Sequence, residues 1–310
     1  MNADRPYPAL AEVLKALLGT DALRCHESLA RYTALRLGGS TDLLVTAGNA
    51  ETLRQAVTAA WQQEVPCRVL GAGSNVLVSD AGVRGLVVLN RAKALAFGEI
   101  TLRAESGANL STAARQAIAR GLTGLEWAVG IPGSVGGAVV GNAGAWGGNV
   151  ASILVGAKML EPPGRVALWP VEQFQYGYRT SVLKQQAASS KRTVILEAEF
   201  ALKPGDVEAL KARVADITAR RKASQPPGAS CGSVFKNPPG DHAGRLIEAA
   251  GLKGRKTGGA EISPVHANFI INHGQATATD VKALIDLARE TVQARFGVSL
   301  ELEIELLGEW

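Results

Sequence analysis

The sequence predicts an α+β fold in more than one domain. At 310 residues the chain exceeds what one typical core absorbs, so two or three domains are expected. Short apolar runs of strand length, separated by turns, alternate with a few amphipathic helical stripes through the N-terminal part. Around Lys203-Pro204-Gly205 the pattern changes, and a helix there opens a C-terminal α+β unit with no repeat and no low-complexity tract.

An opening helix is marked by Leu10, Val13, Leu14, Leu17 and Leu18, which share one face, with Gly19 as its stop. Strands are expected at 42–46, 68–70 and 85–89. A helix from about Asn49, with Leu53, Val57 and Trp61 turned inward, separates the first two. Residues 99–105 read as a further strand, after which Asn109 is placed to cap a helix whose Leu110, Ala113, Ala114, Ala117 and Ile118 form a stripe. Strands at about 152–160 and 192–200 flank an irregular stretch carrying YGYRTS. Beyond the break, helices are expected through Val207, Leu210, Val214 and Ile217, then over 243–250 and 281–296, with strands at 266–271 and 298–306.

Two glycine-dense runs stand out against this pattern: GAGSN at 71–75 and GIPGSVGGAVVGNAGA at 130–145. Each puts glycine where a backbone must approach a ligand closely, and consecutive N–H groups in such turns form an anion-binding concavity. GAGSN alone reads equally well as a tight turn between strands. The pair points to a large phosphate-bearing cofactor. It is not the Rossmann fingerprint, because Val76 stands where the third glycine belongs and no helical pattern follows. Nor is 251–257 a P-loop, since Arg255 rather than a glycine immediately precedes Lys256. The uncharged stretch 127–157 is long enough to span a bilayer, but its nine glycines, Pro132, Asn142 and Asn149 would break a helix repeatedly. A loop system folded around a buried ligand is expected instead.

Composition narrows the function classes. A net charge of +5 suits an anionic ligand but is too small and too dispersed for nucleic acid, and 5% aromatics offer no stacking platform. Cys25, Cys67 and Cys231 are odd in number and scattered, which fits a reducing cytosol and excludes a disulfide framework. The four histidines lack metal-ligand spacing, so no metal site is expected. Asp4, Arg5, Pro6 and Pro8 precede any apolar stretch and do not read as a signal peptide.

Seven motifs occur in order: LGAGSNVLVSDAGVRGLVV, GLEWAVGIPGSVGGAVVGNAGAWGG, YGYRTS, CGSVFKNP, AGRLIEAAGLKG, HANFIIN and LELEIELLG. From about Tyr32 to Gly308 the series resembles the UDP-N-acetylenolpyruvoylglucosamine reductase family, flavoenzymes that make UDP-N-acetylmuramate for bacterial cell walls. The compact spacing after YGYRTS resembles the shorter of the family's two subtypes, which lacks an inserted substrate loop. The resemblance implies a two-lobed FAD-binding domain of vanillyl-alcohol-oxidase (PCMH) type, with lobes at 1–92 and 93–204. An α+β substrate-binding domain at 205–310 would follow, its last strand returning to the active site. It also implies peptidoglycan precursor synthesis, and so a part in cell-wall biogenesis, cell shape and cell division. The location would be cytoplasmic, the state a monomer or weak homo-oligomer, with neither nucleic acid nor membrane insertion involved.

By position, Gly71, Ala72, Gly73, Ser74, Asn75, Val76 and Leu77 would cradle the FAD pyrophosphate. Gly130, Ile131, Pro132, Gly133, Ser134, Gly136, Gly137, Asn142 and Ala143 would do so from the second run. Backbone donors near Ile195 would reach the isoalloxazine. FAD would be held non-covalently, which agrees with the lack of histidine in either run. The implied reaction passes hydride from NADPH through the flavin to the enolpyruvyl double bond of UDP-N-acetylglucosamine enolpyruvate, and a proton to the carbon bearing the carboxylate. An enolate-like carbanion on that path calls for cations and an acid.

The resemblance assigns the acid to Ser233, the carboxylate clamp to Arg179 and a polarising role to Glu303. From residues alone Ser233 reads as a turn serine, and Arg179 as a solvated charge. Alternation sets Glu301, Glu303 and Glu305 on one strand face without choosing among them. Asn237, Lys253 and His266, with Tyr176 or Tyr178, occupy positions that would contact the substrate's diphosphate or uridine. Three positions depart from the family pattern: Ser224, where a lysine is usual, Glu305, where an arginine is usual, and the looser Arg31-Tyr32-Thr33-Ala34. Two other readings remain. An FAD oxidase or dehydrogenase of the same superfamily acting on another substrate would keep the glycine-rich runs without the Arg179, Ser233 and Glu303 set, and a non-catalytic nucleotide-binding or regulatory protein would bind without turnover.

Overall fold

Local signals explain where most elements start and stop. In the computed structural model, which describes residues 6–185 and 193–310, helix α1 (Pro8–Leu18) has proline in its first turn, where a missing N–H costs nothing, and ends at Gly19 with φ of 90°. Helix α2 (Ala50–Gln62) begins where the Asn49 side chain accepts the Thr52 amide at 2.8 Å, and it buries Leu53, Val57 and Trp61. Asn109 caps α3 (Leu110–Ala119) in the same way through the Thr112 amide.

The chain divides into two units. One comprises Met1–Glu27, Asp42–Ala72 and Gly85–Arg220; the other comprises Ser28–Thr41, Gly73–Arg84 and Arg221–Trp310. The first unit holds two hydrophobic cores, each on its own sheet. Helices α1 and α2 supply Leu10, Leu14, Leu53 and Trp61 to a core shared with a four-stranded sheet. Its strand order is Leu23–Ser28, Ser40–Ala47, Val83–Asn90, Cys67–Leu70, with the last two parallel. The other sheet is antiparallel, in the order Arg165–Pro170, Leu154–Glu161, Val194–Ala201, Thr101–Glu105, Leu95–Phe97. Leu110, Ala113 and Ala117 of α3 pack into its core with Leu102 and Phe200. The expected strand start at position 192 lies outside the described residues. Short α5 (Val182–Gln185) and long α6 (Val207–Ser224) complete this part of the chain.

In the second unit, α7 (Ala243–Ala249) and α8 (Ala278–Phe296) share a core with the sheet Lys256–Thr257, Ala260–Ile262, Ile270–Asn272. A capping box between Thr277 and Asp280 starts α8, and the Asp80 carboxylate accepts the Ala278 and Thr279 amides at 2.8 and 2.9 Å. These bonds to orphan donors at a helix N-terminus hold the Asp80 carboxyl below its ordinary range, against the opposing effect of burial. A parallel pair joins Val76–Val78 to Glu305–Leu307.

Three expectations need correction. The strand expected at 298–306 is ordered as strand only over Glu305–Leu307. Upstream, the Lys236 amide donates to the Glu301 carbonyl at 2.9 Å, and the Glu303 amide donates to the Val234 carbonyl at 2.8 Å. The chain bends at 303–304 to make these bonds, so Glu301, Glu303 and Glu305 do not share one strand face. The strand expected at 266–271 shrinks to Ile270–Asn272 because Ser263 turns the chain, its hydroxyl accepting the Val265 and His266 amides at 3.1 and 3.2 Å. And the second glycine-rich run, expected to be irregular throughout, contains helix α4 (Val135–Gly141), started by Ser134. Val135, Ala138 and Val139 bury enough apolar surface in the first unit's core to outweigh glycine's poor helix propensity. Among the described residues no helix is long and apolar enough to cross a membrane.

Candidate functional site

The two glycine-rich runs are fixed by different means. In the first, the Arg91 guanidinium donates to the Gly71 carbonyl at 2.7 Å. A trans peptide points its C=O and N–H in opposite directions, so this bond turns the Ala72 amide away from Arg91. Ala72 itself is exposed. Gly73 is required by the protein rather than by a ligand: its φ is 62°, and a methyl there would run into the Tyr32 carbonyl. In the second run, the Gly136 amide donates to the Ser106 carbonyl at 2.7 Å, and the Gly137 amide to the Ser134 hydroxyl at 3.3 Å. Gly137 is exposed, and a Cβ there would meet only Ser134 Oγ, at 3.4 Å. An exposed, uncharged surface of glycine backbone, with open space over Gly137, fits a close-lying dinucleotide such as FAD. Ile195 lies on Val194–Ala201 beyond the last residue paired with Thr101–Glu105, which is Glu197 opposite Glu105. It pairs with Met159 next to an irregularity in the register.

The YGYRTS segment is bonded to α4. Tyr176 donates its hydroxyl to the Val139 carbonyl at 2.9 Å and Ser181 donates to the Val140 carbonyl at 2.6 Å, satisfying carbonyls of the helix's last turn. Asn142 ends α4 in the left-handed conformation; its Nδ2 donates to the Gly177 carbonyl at 3.0 Å and its Oδ1 accepts the Ala151 amide at 3.0 Å. Gly177 and Thr180 pair across a two-residue tip formed by Tyr178 and Arg179. Tyr176 also stacks on Phe174, and burial raises its phenol above the ordinary range, whereas Tyr178 is exposed. Arg179 occupies the tip with φ of 55°, a left-handed conformation that L-residues rarely adopt.

In the second unit a cleft of about 300 Å³ is lined by Ser233, Asn237 and His266 together with His242, Arg245, Glu248 and Asn268. Asn237 Oδ1 accepts the Ala243 amide at 3.1 Å and so sets the start of α7 against this wall. Lys253 reaches Glu248 at 2.8 Å. Burial pushes His266 below the usual histidine range, and the Lys253 charge acts in the same direction. His266 Nδ1 accepts the Asn268 amide at 3.2 Å, which leaves a neutral ring with its proton on Nε2 as a donor. Cys231, beside this loop, is 2% exposed, and burial pushes its thiol up to about 12, so it is packed rather than nucleophilic.

Glu303 is half-buried and stands next to the Ser233 loop through its backbone bond to Val234. Asn75 holds it there, its Nδ2 donating to the Glu303 carbonyl at 3.1 Å while its own carbonyl accepts the Glu305 amide at 2.9 Å. Arg179 belongs to the first unit, and Ser233 and Glu303 to the second. Arg91, His242, Arg245, Glu248 and Asn268 were not singled out by the sequence. The AGRLIEAAGLKG motif, which contains Arg245 and Glu248, and the HANFIIN motif, which contains Asn268, carried a hint of them.

Comparison with known proteins gives two matches along the chain. Residues 41–167 match an FAD binding domain, and residues 222–307 match the UDP-N-acetylenolpyruvoylglucosamine reductase C-terminal domain. The chain is 45% identical to the UDP-N-acetylenolpyruvoylglucosamine reductase of Chloroflexus aggregans over 291 residues, 92% of this chain and 97% of that protein. It is 42% identical to that of Geobacillus thermodenitrificans over 298 residues, 96% of each. The crystal structure of UDP-N-acetylenolpyruvylglucosamine reductase from Thermus caldophilus superposes with a TM-score of 0.78 at 36% identity, covering 92% of this chain and 100% of that one. The fold is therefore the α+β arrangement of a two-lobed, vanillyl-alcohol-oxidase-type FAD-binding domain and a C-terminal domain. The chain belongs to the UDP-N-acetylenolpyruvoylglucosamine reductase family.

Proposed function

We propose that this protein reduces the enolpyruvyl group of UDP-N-acetylglucosamine enolpyruvate to the lactyl ether, giving UDP-N-acetylmuramate for peptidoglycan, with NADPH as hydride source. The observation that carries this reading is the cleft that gathers Ser233, Asn237 and His266 beside Lys253, in a chain whose other part is an FAD-binding domain. Bound FAD would supply hydride transfer between NADPH and the substrate. The exposed backbone about Ala72 and Gly137 would hold it. The protein works in the cytoplasm, as a monomer or weak homo-oligomer.

Hydride addition at the terminal carbon of the alkene pushes the π electron pair onto the carbon bearing the carboxylate. Arg179 holds that carboxylate with its planar fork and stabilises the enolate as it forms. Ser233 gives its hydroxyl proton to the carbanion carbon, completing the new C–H bond, and recovers a proton from solvent. Glu303 polarises the site with Arg179. Lys253 and the Nε2 proton of His266 engage the diphosphate, Asn237 and Tyr178 the remainder of the nucleotide. Tyr176, whose hydroxyl already serves α4, is left to structure.

With NADPH and substrate, the product should be heavier than the substrate by two hydrogens, and UDP-N-acetylglucosamine without the enolpyruvyl group should consume no NADPH beyond the one equivalent that reduces the flavin. NADPH oxidation with no change in the substrate's mass would point to the oxidase reading instead.

Gly137 offers a test of the cofactor surface. Its Cβ position is open on the protein side, so Gly137→Val should stay folded while losing most of its FAD, read as flavin absorbance per protein after gel filtration. Gly73→Ala should instead unfold more readily, because the added methyl meets the Tyr32 carbonyl at a positive φ. Full flavin occupancy in folded Gly137→Val would remove the start of α4 from the cofactor site.

A further inference from the structure

We infer that Asn268 is a positioning residue that fixes Ser233 for proton delivery; this rests on the assignment of Ser233 as the proton donor. Asn268 is 4% exposed. Its Oδ1 accepts the Phe235 amide at 2.9 Å, its Nδ2 donates to the Phe235 carbonyl at 2.8 Å, and its own carbonyl accepts the Val234 amide at 2.9 Å. The Glu303 amide donates to the remaining group, the Val234 carbonyl, at 2.8 Å. Every backbone polar group of the two residues after Ser233 is thus engaged, three of the four by Asn268.

The residue before Ser233 adds no side chain to this clamp. Gly232 has φ of 77°, and a side chain built there would meet nothing within 4 Å. Ser233 therefore hangs between a permissive glycine and a clamped dipeptide, and the clamp sets its position. Only a neutral amide presents an acceptor and a donor side by side, matching the N–H and C=O of one residue as a strand partner would. An ionised carboxylate keeps the acceptor and opposes the Phe235 carbonyl with a second oxygen. Ser233 and Asn268 line the same cleft, so a shift in one loop moves the hydroxyl relative to a bound substrate. A displacement of about 1 Å at a reacting group can cost about 100-fold in rate.

The test uses the flavin-loaded enzyme and both half-reactions. Asn268→Asp should be reduced by NADPH at the wild-type rate, while its maximal rate of reoxidation by the enolpyruvyl substrate falls about 100-fold. The substrate concentration giving half that rate should change little. Combining it with Ser233→Ala should cost nothing beyond Ser233→Ala alone, since a positioning effect vanishes when the positioned group is gone. Asn268→Ser, smaller and uncharged, should give the same pattern and serves if the first variant does not fold. Equal slowing of both halves would mean a structural role. A raised half-saturating concentration at full maximal rate would mean a ligand contact, and multiplied losses in the double variant would mean action elsewhere; each overturns the inference. A slow Ser233→Ala with a fast Asn268→Asp sinks this inference alone, whereas a fast Ser233→Ala removes Ser233 itself from the chemistry.

Discussion

Ser233→Ala should be bleached by NADPH at nearly the wild-type rate, while its reoxidation by the enolpyruvyl substrate falls by about 10²–10⁴-fold, the usual contribution of a positioned general acid. Only the second half-reaction needs a proton delivered to carbon, so a defect confined to it marks the donor. Ser233→Cys should recover part of the rate, because a thiol with an ordinary pKa of about 8.5 is a far stronger acid than an alcohol and reaches the same carbon. Cys231→Ala should leave both halves intact, since that thiol is buried and pushed up to about 12. Stopped-flow absorbance of the flavin separates the two rates. Equal slowing of both would show a folding or cofactor defect.

Arg179→Lys should lower kcat by about 10²–10³-fold while the NADPH half-reaction continues, because the ammonium keeps the charge but loses the bidentate fork. The backbone adds a second expectation. Arg179 holds φ of 55° at the tip of its turn, where an L-residue is strained by roughly 1–2 kcal/mol and glycine is not. Arg179→Gly should therefore melt at the same temperature as the parent or higher, yet turn over substrate no better than Arg179→Lys. Stability kept while activity is lost is the signature of strain retained for function. Near-normal turnover in Arg179→Lys would make it a surface charge.

Much of the fold was legible because its signals are local. Leu53, Val57 and Trp61 of α2 and the Asn109 cap of α3 depend on spacing and on side-chain bonds three residues long. The C-terminal segment misled because alternation at 298–306 is also what a bent segment shows when long-range bonds replace a ladder. Those bonds run from Glu301 and Glu303 to the loop at 234–236 and to Asn75, more than sixty positions away in sequence. Arg91, and the role of Asn268 within the HANFIIN motif, were invisible for the same reason: a buried asparagine or a half-buried arginine shows no purpose until the partner segment is folded against it. Gly73 was legible as a glycine requirement but not as to its cause. A methyl there meets Tyr32, forty-one residues earlier, which no local motif encodes. The cysteine at 231 invited a nucleophile reading that only burial could dismiss.

The most direct measurement of the central claim is an anaerobic titration of the purified protein followed by its visible spectrum. The protein should be yellow, lose its flavin absorbance on addition of one equivalent of NADPH, and regain it on addition of one equivalent of UDP-N-acetylglucosamine enolpyruvate, with UDP-N-acetylmuramate formed in step. A protein that binds no flavin, or one that bleaches with NADPH and stays bleached in the presence of that substrate, would contradict the account.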